Sequence, residues 1–315
     1  ICVVGLGYIG LPTAALLARS GWNVNGVDIN NHVIETINKG KIHIVEPELD
    51  IAVKSAVENK RLVASAAPSK SDAFFIAVPT PCKGADHTPD ISYIQAAAQT
   101  IAPVLEAGNL VVLESTSPVG TTEKLSAWLA ELRPDLSFPQ DKGKDSDIRI
   151  AFCPERVLPG QVMSELVSND RIIGGMTEKC AQQAREIYET FVRGACMVTG
   201  TRTAELCKLA ENAYRDINIA YANELSLICD EADIDVRELI RLTNHHPRVD
   251  ILQPGPGVGG HCIAVDPWFI VSQAPELSRL IRTAREVNDF KPNWVFNKVL
   301  TAYHDFEKKF ARKPK

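Results

Sequence analysis

A glycine-rich turn near the start of the chain constrains its fold more than any other feature. Residues 1–4 form a short apolar run, Gly5, Gly7 and Gly10 follow with the spacing G-x-G-x-x-G, and residues 11–18 have a helical composition. In a strand–turn–helix unit the first glycine permits the tight turn, the second lets a pyrophosphate approach the backbone, and the third lets helix and strand pack closely. The helix N-terminus then presents N–H groups to the phosphates. The sequence therefore predicts a dinucleotide-binding unit of the Rossmann type.

A carboxylate at the end of the second predicted strand indicates which dinucleotide binds. Asp28 lies 18 residues after Gly10 and is close to the end of the strand predicted over residues 24–29. A carboxylate in this position accepts hydrogen bonds from the ribose hydroxyls and repels a 2′-phosphate. We therefore expect NAD rather than NADP as the cofactor.

The first half of the chain alternates between strand and helix patterns. Apolar runs predict strands at residues 72–78, 110–114 and 148–153, the last being the final strand of the sheet. Helical patterns predict helices at residues 91–105 and 121–128. This alternation predicts an α/β fold with a doubly wound parallel sheet. Open sheets of this kind bind ligands at the carboxyl ends of their strands. We therefore expect Thr80, Thr116 and Glu155, which follow three of the strands, to share one crevice.

One long helical pattern organises the second half. Residues 203–231 contain neither glycine nor proline and predict a continuous helix, on which Lys208, Asn212 and Arg215 share a face. A polar stripe of this kind is commonly a solvated surface, but the apolar residues beside it indicate that part of the face is enclosed. A helix this long and this apolar needs a packing partner, so we expect a homodimer formed along it.

The length of 315 residues and the change from alternating to helical patterns predict two domains. We expect an NAD-binding Rossmann-like domain over residues 1–200 and a mainly helical central or dimerisation domain over residues 201–300. Within the second domain, Pro292 interrupts a helix predicted at residues 284–304. The basic stretch at residues 301–315 is interpreted as the start of a linker. Because the first residue already lies in a strand pattern, we expect the natural N-terminus to lie further upstream.

Composition argues against several classes of ligand. The net charge of −5 and the isoelectric point of about 5.9 do not favour nucleic acid, and no apolar run is long enough to cross a bilayer. The eight cysteines are scattered without C-x-x-C pairs or metal-ligand spacing, a pattern typical of reduced thiols in a cytoplasmic protein. His245 and His246 are adjacent, but no third ligand stands at a useful spacing. We therefore expect no metal site.

One cysteine differs from the others because of the loop that carries it. Residues 254–260 contain four glycines and two prolines, a composition that excludes a helix or a central strand. Cys262 follows this stretch, and Asp266 lies four residues beyond it. A lone cysteine is commonly a small packing residue. Here the dinucleotide site and Lys208 make Cys262 a candidate nucleophile, and Arg248 upstream is a candidate for binding an anionic or hydroxylated group.

Taken together, the motifs resemble those of the nucleotide-sugar 6-dehydrogenases, the UDP-glucose/GDP-mannose dehydrogenase group. Six segments spread over nearly the whole chain carry the resemblance: residues 5–10, 78–81, 114–120, 153–160, 205–212 and 257–267. The resemblance implies NAD-dependent four-electron oxidation of the C6 hydroxymethyl group of a nucleotide sugar, without a metal, in the synthesis of surface polysaccharide precursors. Family members also carry a third, C-terminal domain that binds uridine diphosphate. No pattern for that domain follows, so we expect the sequence to be a fragment.

Two residues of the cysteine loop depart from the UDP-glucose dehydrogenases. Those enzymes carry phenylalanine directly after the cysteine and lysine directly before the aspartate, whereas Ile263 and Val265 occupy these positions here. The departure favours a UDP-N-acetylhexosamine over UDP-glucose, with UDP-N-acetyl-D-mannosamine as the best match. The motifs do not by themselves separate it from the glucosamine and galactosamine epimers.

The same resemblance implies a covalent mechanism. Cys262 attacks the C6 aldehyde to give a thiohemiacetal, the second hydride transfer leaves a thioester, and water hydrolyses the thioester. Lys208 stabilises negative charge on the C6 oxygen and Asn212 adds a hydrogen bond, with either Lys208 or bound water acting in proton transfer.

Further roles follow from the resemblance. Glu155 is the candidate base for thioester hydrolysis, with Thr116 and Asp266 holding the water. The sugar nucleotide is expected to contact Arg156, Val157, Lys208, Asn212, Arg215, His246, Arg248 and Gly259. NAD is expected to contact Gly5, Gly7, Tyr8, Ile9, Gly10, Asp28, Thr80 and Thr122.

Two other functions fit the same residues less well. A single-step NAD-dependent hydroxyacid or sugar dehydrogenase would use Lys208 and Asn212 for one hydride transfer, with Cys262 serving only in packing. A non-catalytic NAD-binding regulator would dimerise through residues 203–231. The presence of a nucleophile, a lysine and a dinucleotide loop in one chain favours the nucleotide-sugar dehydrogenase.

Overall fold

The computed structural model describes residues 1–84, 86–260 and 262–314. The chain divides into two compact units, the first formed by Ile1–Cys82 and Pro89–Lys208 and the second by Lys83–Thr88 and Leu209–Lys315. None of the helices in the described ranges is long and apolar enough to cross a membrane.

The first unit is built on a large sheet. The described residues form ten strands: β1 Cys2–Val4, β2 Val24–Val27, β3 Leu62–Ser65, β4 Ala73–Ile76, β5 Cys82–Lys83, β6 Thr88–Pro89, β7 Leu110–Leu113, β8 Arg149–Phe152, β9 Arg171–Gly175 and β10 Cys196–Gly200. Eight of these form one sheet in the order β10-β9-β8-β7-β4-β1-β2-β3, and β5 pairs with β6. The chain passes from β1 outward to β2 and β3 and then returns to β4 on the other side of β1. The gap between β1 and β4 is therefore a topological switch point, where open α/β sheets bind ligands.

The predicted α/β fold is confirmed, with one difference at the edge of the sheet. Strands β1, β4 and β7 are buried along their whole length, as expected of parallel strands covered on both faces. Every neighbouring pair described in this sheet is parallel except β8 and β9, which are antiparallel. The prediction that residues 148–153 form the final strand was wrong, because β9 and β10 follow in the same sheet. Gly174 and Gly175 weaken the strand pattern of β9, but both are needed, since a Cβ at Gly174 would lie 2.7 Å from the Cβ of Ala204.

Helices cover both faces of the sheet. The first unit contains α1 Gly10–Arg19, α2 Asn31–Asn38, α3 Leu49–Glu58, α4 Ser92–Ile101, α5 Thr121–Leu132, α6 Pro139–Lys142, α7 Val162–Ser168 and α8 Glu178–Tyr188, with 3₁₀ turns at Ala102–Val104 and Gly143–Asp145. Alternate residues of the strands point into two separate apolar clusters. Phe75 of β4 lies in the cluster with α1 and α8, whereas its neighbours Phe74 and Ile76 lie in the cluster with α4 and α5. The sheet is therefore doubly wound, as predicted.

The second unit is helical. Its helices are α9 Thr201–Glu231, α10 Val236–Thr243, α11 Asp266–Gln273 and α12 Arg279–Phe310, and the division between the units falls within α9. The continuous helix predicted at residues 203–231 is thus confirmed as α9. The predicted interruption at Pro292 was wrong, because α12 continues through it. Contacts with α9 on both sides of Pro292, from Asn288 to Asp216 before it and from Lys298 to Asp230 after it, hold α12 together there, so tertiary packing outweighs the local cost of proline.

Candidate active site

The glycine turn has the geometry that a dinucleotide site needs. Gly5 adopts a left-handed φ of 91°, and a Cβ there would lie 2.5 Å from the carbonyl oxygen of Ala77. A Cβ at Gly10 would lie 1.8 Å from the carbonyl oxygen of Gly5, whereas a Cβ at Gly7 would meet nothing within 4 Å. Gly5 and Gly10 are therefore required by packing. Gly7 leaves open space beside the backbone, and no side chain caps the N-terminus of α1 at Ile9, which fits a pyrophosphate bound there.

Asp28 lies beside this turn. It is half-buried just after the end of β2, and its Oδ2 accepts a hydrogen bond from the backbone N–H of Leu6 at 3.0 Å. Its Oδ1 accepts from the N–H of Asn30 at 2.8 Å. These two bonds fix the carboxylate next to the glycine turn, in the position from which such a residue meets the ribose hydroxyls.

Tyr8 projects from the turn toward Glu46, a residue for which the sequence carries no local signal. The Tyr8 hydroxyl donates to Glu46 Oε2 at 2.7 Å, and the backbone N–H groups of Gly160 and Val162 donate to the same carboxylate at 3.0 and 2.7 Å. Burial acts in the opposite direction, but these three hydrogen bonds lower the pKa of Glu46. Glu46 therefore joins the dinucleotide turn to the segment that follows Val157, one of the residues expected to contact the sugar nucleotide.

The segments after β4 and β7 are adjacent at their carboxyl ends. The Thr80 hydroxyl donates to the carbonyl oxygen of Thr116 at 2.6 Å. The Ser115 hydroxyl accepts from the N–H of Val78 at 2.9 Å and donates to its carbonyl oxygen at 2.7 Å. Thr80 and Thr116 therefore lie together, at the edge of the sheet where ligands of such folds bind.

Thr122, the remaining residue expected to contact NAD, is held by another buried glutamate. Both its N–H and its hydroxyl donate to Glu205 Oε1, at 2.8 and 2.7 Å, and the N–H of Gly120 donates to Oε2 at 2.6 Å. Burial raises the pKa of Glu205. The carboxyl group of Glu205 thus satisfies the N-terminal donors of α5, and Thr122 itself is fully buried.

Glu155 lies in a cluster of buried polar groups. It forms an ion pair with Arg171, and both side chains are buried. Glu114, at the end of β7, accepts a hydrogen bond from the Tyr188 hydroxyl at 2.7 Å. Burial, and then the charge of Glu155, raise the pKa of Glu114 to about 8, and burial raises the pKa of Cys153 to about 12. One oxygen of Glu114 and one of Glu155 make no hydrogen bond within the described residues.

The two residues that follow Glu155 lie nearer the surface. The guanidinium of Arg156 donates to the carbonyl oxygen of Asp170 at 3.0 Å, and the Asn169 amide donates to the carbonyl oxygen of Arg156 at 3.0 Å. Arg156 and Val157 are both half-buried. The backbone of Arg156 is thus held in place, while part of its side chain stays accessible.

In the second unit, two of the predicted catalytic residues meet. Asn212 of α9 donates to Asp266 Oδ2 at 2.5 Å, and both residues are buried. Asp266 begins α11, and the carbonyl oxygen of Cys262 accepts from the N–H groups of Val265 and Asp266 at 3.0 and 2.8 Å. The Cys262 side chain is exposed. The thiol is thus presented from the turn that leads into α11.

The other predicted residues of the second half lie on α9 and in the adjoining loops. The continuous helix places half-buried Lys208 and exposed Arg215 about one turn on either side of Asn212. His246 and Arg248 follow α10 and are exposed, as is Gly259. His261 lies outside the described residues. Among the described residues, no group of three or more His, Cys, Asp or Glu side chains is placed to hold a metal ion.

The sheet, the glycine turn at its switch point and the helical second unit define the class of NAD-dependent dehydrogenases. Residues 1–192 match the NAD binding domain of the UDP-glucose/GDP-mannose dehydrogenase family, and residues 202–290 match its central domain. The chain belongs to this family, and it is an NAD-dependent nucleotide-sugar dehydrogenase.

Several relatives are highly similar. The chain is 65% identical over 305 residues to the UDP-N-acetyl-D-mannosamine dehydrogenase of Escherichia coli K12, covering 97% of this chain and 72% of that protein. It is also 65% identical over 307 residues to the NDP-N-acetyl-D-galactosaminuronic acid dehydrogenase of Ralstonia nicotianae, covering 98% and 72%. Among solved structures, the UDP-D-ManNAc dehydrogenase of Pyrococcus horikoshii has a TM-score of 0.89 at 43% identity, covering 97% of this chain and 72% of that one.

Proposed function

We propose that this enzyme oxidises the C6 hydroxymethyl group of UDP-N-acetyl-D-mannosamine to the carboxylate in two successive steps. The observation that carries the proposal is the contact between Asn212 and Asp266, four residues after the exposed thiol of Cys262. An exposed thiol on the turn that leads into a fixed amide–carboxylate pair suits covalent capture of an aldehyde. Two of the relatives are named for UDP-N-acetyl-D-mannosamine, which supports the choice of sugar.

Cys262 supplies the nucleophile. Its thiolate adds to the C6 aldehyde left by the first oxidation, and the resulting thiohemiacetal loses its carbon-bound hydrogen as hydride to leave a thioester. Water then cleaves the carbon–sulfur bond, which releases the carboxylate and returns the thiol. Bound NAD⁺ supplies the hydride acceptor for both oxidations, so two NADH form for each sugar oxidised.

The remaining catalytic roles concern charge and protons. Lys208 and Asn212 stabilise negative charge on the C6 oxygen, a contribution typically worth about 2.7–4 kcal/mol for each donor. Glu155 accepts the proton of the attacking water, assisted by Thr116 and Asp266. The ion pair with the buried Arg171 holds the carboxyl group of Glu155 in place, and a base must be positioned in this way to reach the proton that it accepts.

Binding roles follow the two matched segments of the family. We assign NAD binding to residues 1–200 and the cysteine loop with the dimerisation helix to residues 201–300. NAD contacts Gly5, Gly7, Tyr8, Ile9, Gly10, Asp28, Thr80 and Thr122. The sugar nucleotide contacts Arg156, Val157, Lys208, Asn212, Arg215, His246, Arg248 and Gly259. The described cysteines form no disulfides, which supports a location in the cytoplasm.

A homodimer formed along α9 is the second part of the proposal. Tyr214, Tyr221 and Ile228 follow one another at intervals of seven residues and are 70%, 55% and 56% exposed. A heptad stripe of large apolar side chains is the pattern through which two helices associate. Tyr221→Asp should therefore yield monomers in analytical ultracentrifugation. Tyr93→Asp, at an exposed tyrosine of α4, should leave the dimer intact, and a dimeric Tyr221→Asp protein would rule out this interface.

Replacement of the thiol tests the covalent route. In Cys262→Ser the less nucleophilic hydroxyl should abolish formation of the acid, while NAD binding measured by titration survives. Cys196→Ser, at a half-buried cysteine of β10, is the matched control and should yield two NADH for each sugar. Acid formation by the Cys262→Ser protein would refute the thioester route, and one NADH per sugar in the parent would favour the single-step dehydrogenase.

A second candidate substrate rests on one comparison. The Ralstonia relative is as similar to the chain as the Escherichia coli one, and it is named for N-acetyl-D-galactosaminuronic acid. NADH production with UDP-N-acetylmannosamine, compared with its glucosamine and galactosamine epimers, separates the two. The proposal expects the highest kcat/KM for the mannosamine epimer, and a higher value for the galactosamine epimer would replace it.

A further inference from the structure

The cysteine loop is attached to α9 at two points. Beyond Cys262, Asp266 accepts from Asn212. Before it, the backbone N–H of Gly255 donates to Asn223 Oδ1 at 2.9 Å. Asn212 and Asn223 are separated by about three helical turns and therefore lie on the same face of α9. The two asparagines hold the two ends of the segment that presents the thiol.

The attachment of Gly255 to Asn223 is the end of a chain of buried hydrogen bonds. The Asn223 amide donates to Asn288 Oδ1 at 2.8 Å, and the Asn288 amide donates to Asp216 Oδ1 at 2.8 Å. The same Asp216 oxygen accepts from the Arg285 guanidinium at 2.6 Å, and all four side chains are at most 1% exposed. The bonds point in one direction, from the loop toward the carboxylate, so that each polarises the next. The loop is thus tied to a charged pair in the interior of the second unit.

The loop also rests against α12. A Cβ at Gly257 would lie 2.6 Å from Cγ of Pro292, so the backbone passes the proline ring at a distance that only glycine allows. This contact is apolar and independent of the hydrogen bonds of Asn223. It offers a second way to displace the loop while the buried polar groups stay in place.

We propose that Asn223 is a positioning residue for the nucleophile: with Asn212 it fixes both ends of the segment that carries Cys262, and its bond to Gly255 sets where the thiol stands. The inference rests on the proposed role of Cys262 in the oxidation. Asn223 does not itself touch the reacting atoms. Loss of its bond should therefore lower kcat and loosen the loop without changing the affinity for NAD.

Asn223→Ala is the direct test, and Asn218→Ala is its matched control. Asn218 is a half-buried asparagine of the same helix whose amide donates only to the carbonyl oxygen of Tyr214 among the described residues. In Asn223→Ala, kcat should fall about 100-fold, the loss that a misplacement of roughly 1 Å produces, with an unchanged KM for NAD. Cys262 is already exposed, and release of one end of its loop gives the thiol further mobility, so iodoacetamide should alkylate it faster than in the parent.

Alkylation is followed peptide by peptide, with Cys196 in the first unit as the internal reference. If kcat and the alkylation rate of Cys262 in Asn223→Ala both match those of Asn218→Ala, the inference is overturned. Alkylation reports the position of the loop whatever chemistry the thiol performs. A faster alkylation rate together with acid formation by Cys262→Ser would therefore keep the positioning role and remove the thioester route.

If Asn223→Ala does not fold, a second pair of variants tests the premise on which its role depends, namely that the position of the loop controls the reaction of Cys262. Gly257→Ala places a methyl group against Pro292 and should lower kcat and speed alkylation of Cys262. Adding Pro292→Ala removes Cγ and Cδ of the ring, leaves a residue that favours helix, and should restore both values. Native kcat in Gly257→Ala, or no recovery in the double variant, would contradict the inference.

Discussion

The protonation of Glu114 leads to a quantitative prediction. Glu114 is 2% exposed, and its pKa rises from 4.5 to about 8 because of burial and of the charge of Glu155. Between these two pH values the folded protein holds a proton that the unfolded chain has released. The contribution of Glu114 to the free energy of unfolding therefore falls as the pH rises from about 4.5 to about 8, and it is constant outside that window. At 1.36 kcal/mol for each pKa unit, the decrease amounts to about 5 kcal/mol.

Glu114→Gln isolates this contribution. The amide resembles the protonated carboxyl group and can still accept the hydrogen bond from the Tyr188 hydroxyl. At pH 8 the variant should be more stable than the parent by an amount approaching about 5 kcal/mol, and at pH 4.5 the two should be nearly equal. Glu186→Gln, an exposed glutamate on α8, is the control and should change neither the stability nor its dependence on pH.

The measurement has to report on the first unit by itself. Urea unfolding at several pH values meets this condition when it is detected through hydrogen exchange of the peptide that contains β7, because Glu114 directly follows that strand. If Glu114→Gln destabilises the protein equally at every pH, the pKa of Glu114 is the same in the folded and unfolded states, and Glu114 is ionised in the native protein at pH 8. In that case the reasoning from burial and from the neighbouring charge is refuted.

Two further predictions concern the dinucleotide turn. Gly10→Ala should lower both the melting temperature and the affinity for NAD, because its Cβ would overlap the carbonyl oxygen of Gly5. Gly7→Ala should keep the native melting temperature and lose only affinity for NAD. A native melting temperature in Gly10→Ala would contradict the packing role of Gly10. Glu46→Gln should destabilise the protein by about 1.5–3 kcal/mol at pH 7, and more than Tyr8→Phe. Because the pKa of Glu46 is lowered in the fold, the stability lost in Glu46→Gln relative to the parent should diminish below pH 4.5. An equal loss at pH 7 and pH 4 in thermal unfolding would show that the charge of Glu46 is not involved.

The parts of the fold that were predictable depend on signals close together in sequence. The glycine spacing from Gly5 to Gly10 and the uninterrupted residues 203–231 specify a turn and a helix through local sterics alone. The buried runs β4 and β7 are apolar throughout, so any sheet that contains them must be covered on both faces. In contrast, β9 ends in two glycines, and only tertiary packing explains them, because a Cβ at Gly174 would meet Ala204 and a Cβ at Gly175 would meet Ala181.

The partners of the candidate site residues were not predictable in the same way. Glu46 lies 38 residues from Tyr8, and Tyr188 lies 74 residues from Glu114. No periodicity links such positions, because these contacts depend on how strands and loops are brought together after the local elements have formed. A sequence identifies which residues can perform chemistry, but the pKa of Glu114 depends on which charge the fold places beside it.

The second unit shows how these two kinds of information combine. The absence of glycine and proline from α9 predicts only that the helix is continuous. Because it is continuous, the rise along the axis and the angle between Asn212 and Asn223 are fixed, and both ends of the cysteine loop are held at a set separation. A kink between the two asparagines would change that separation even with every side chain retained. The regularity of the helix is therefore itself a condition for the position of Cys262, although no residue between the two attachment points needs to touch the loop.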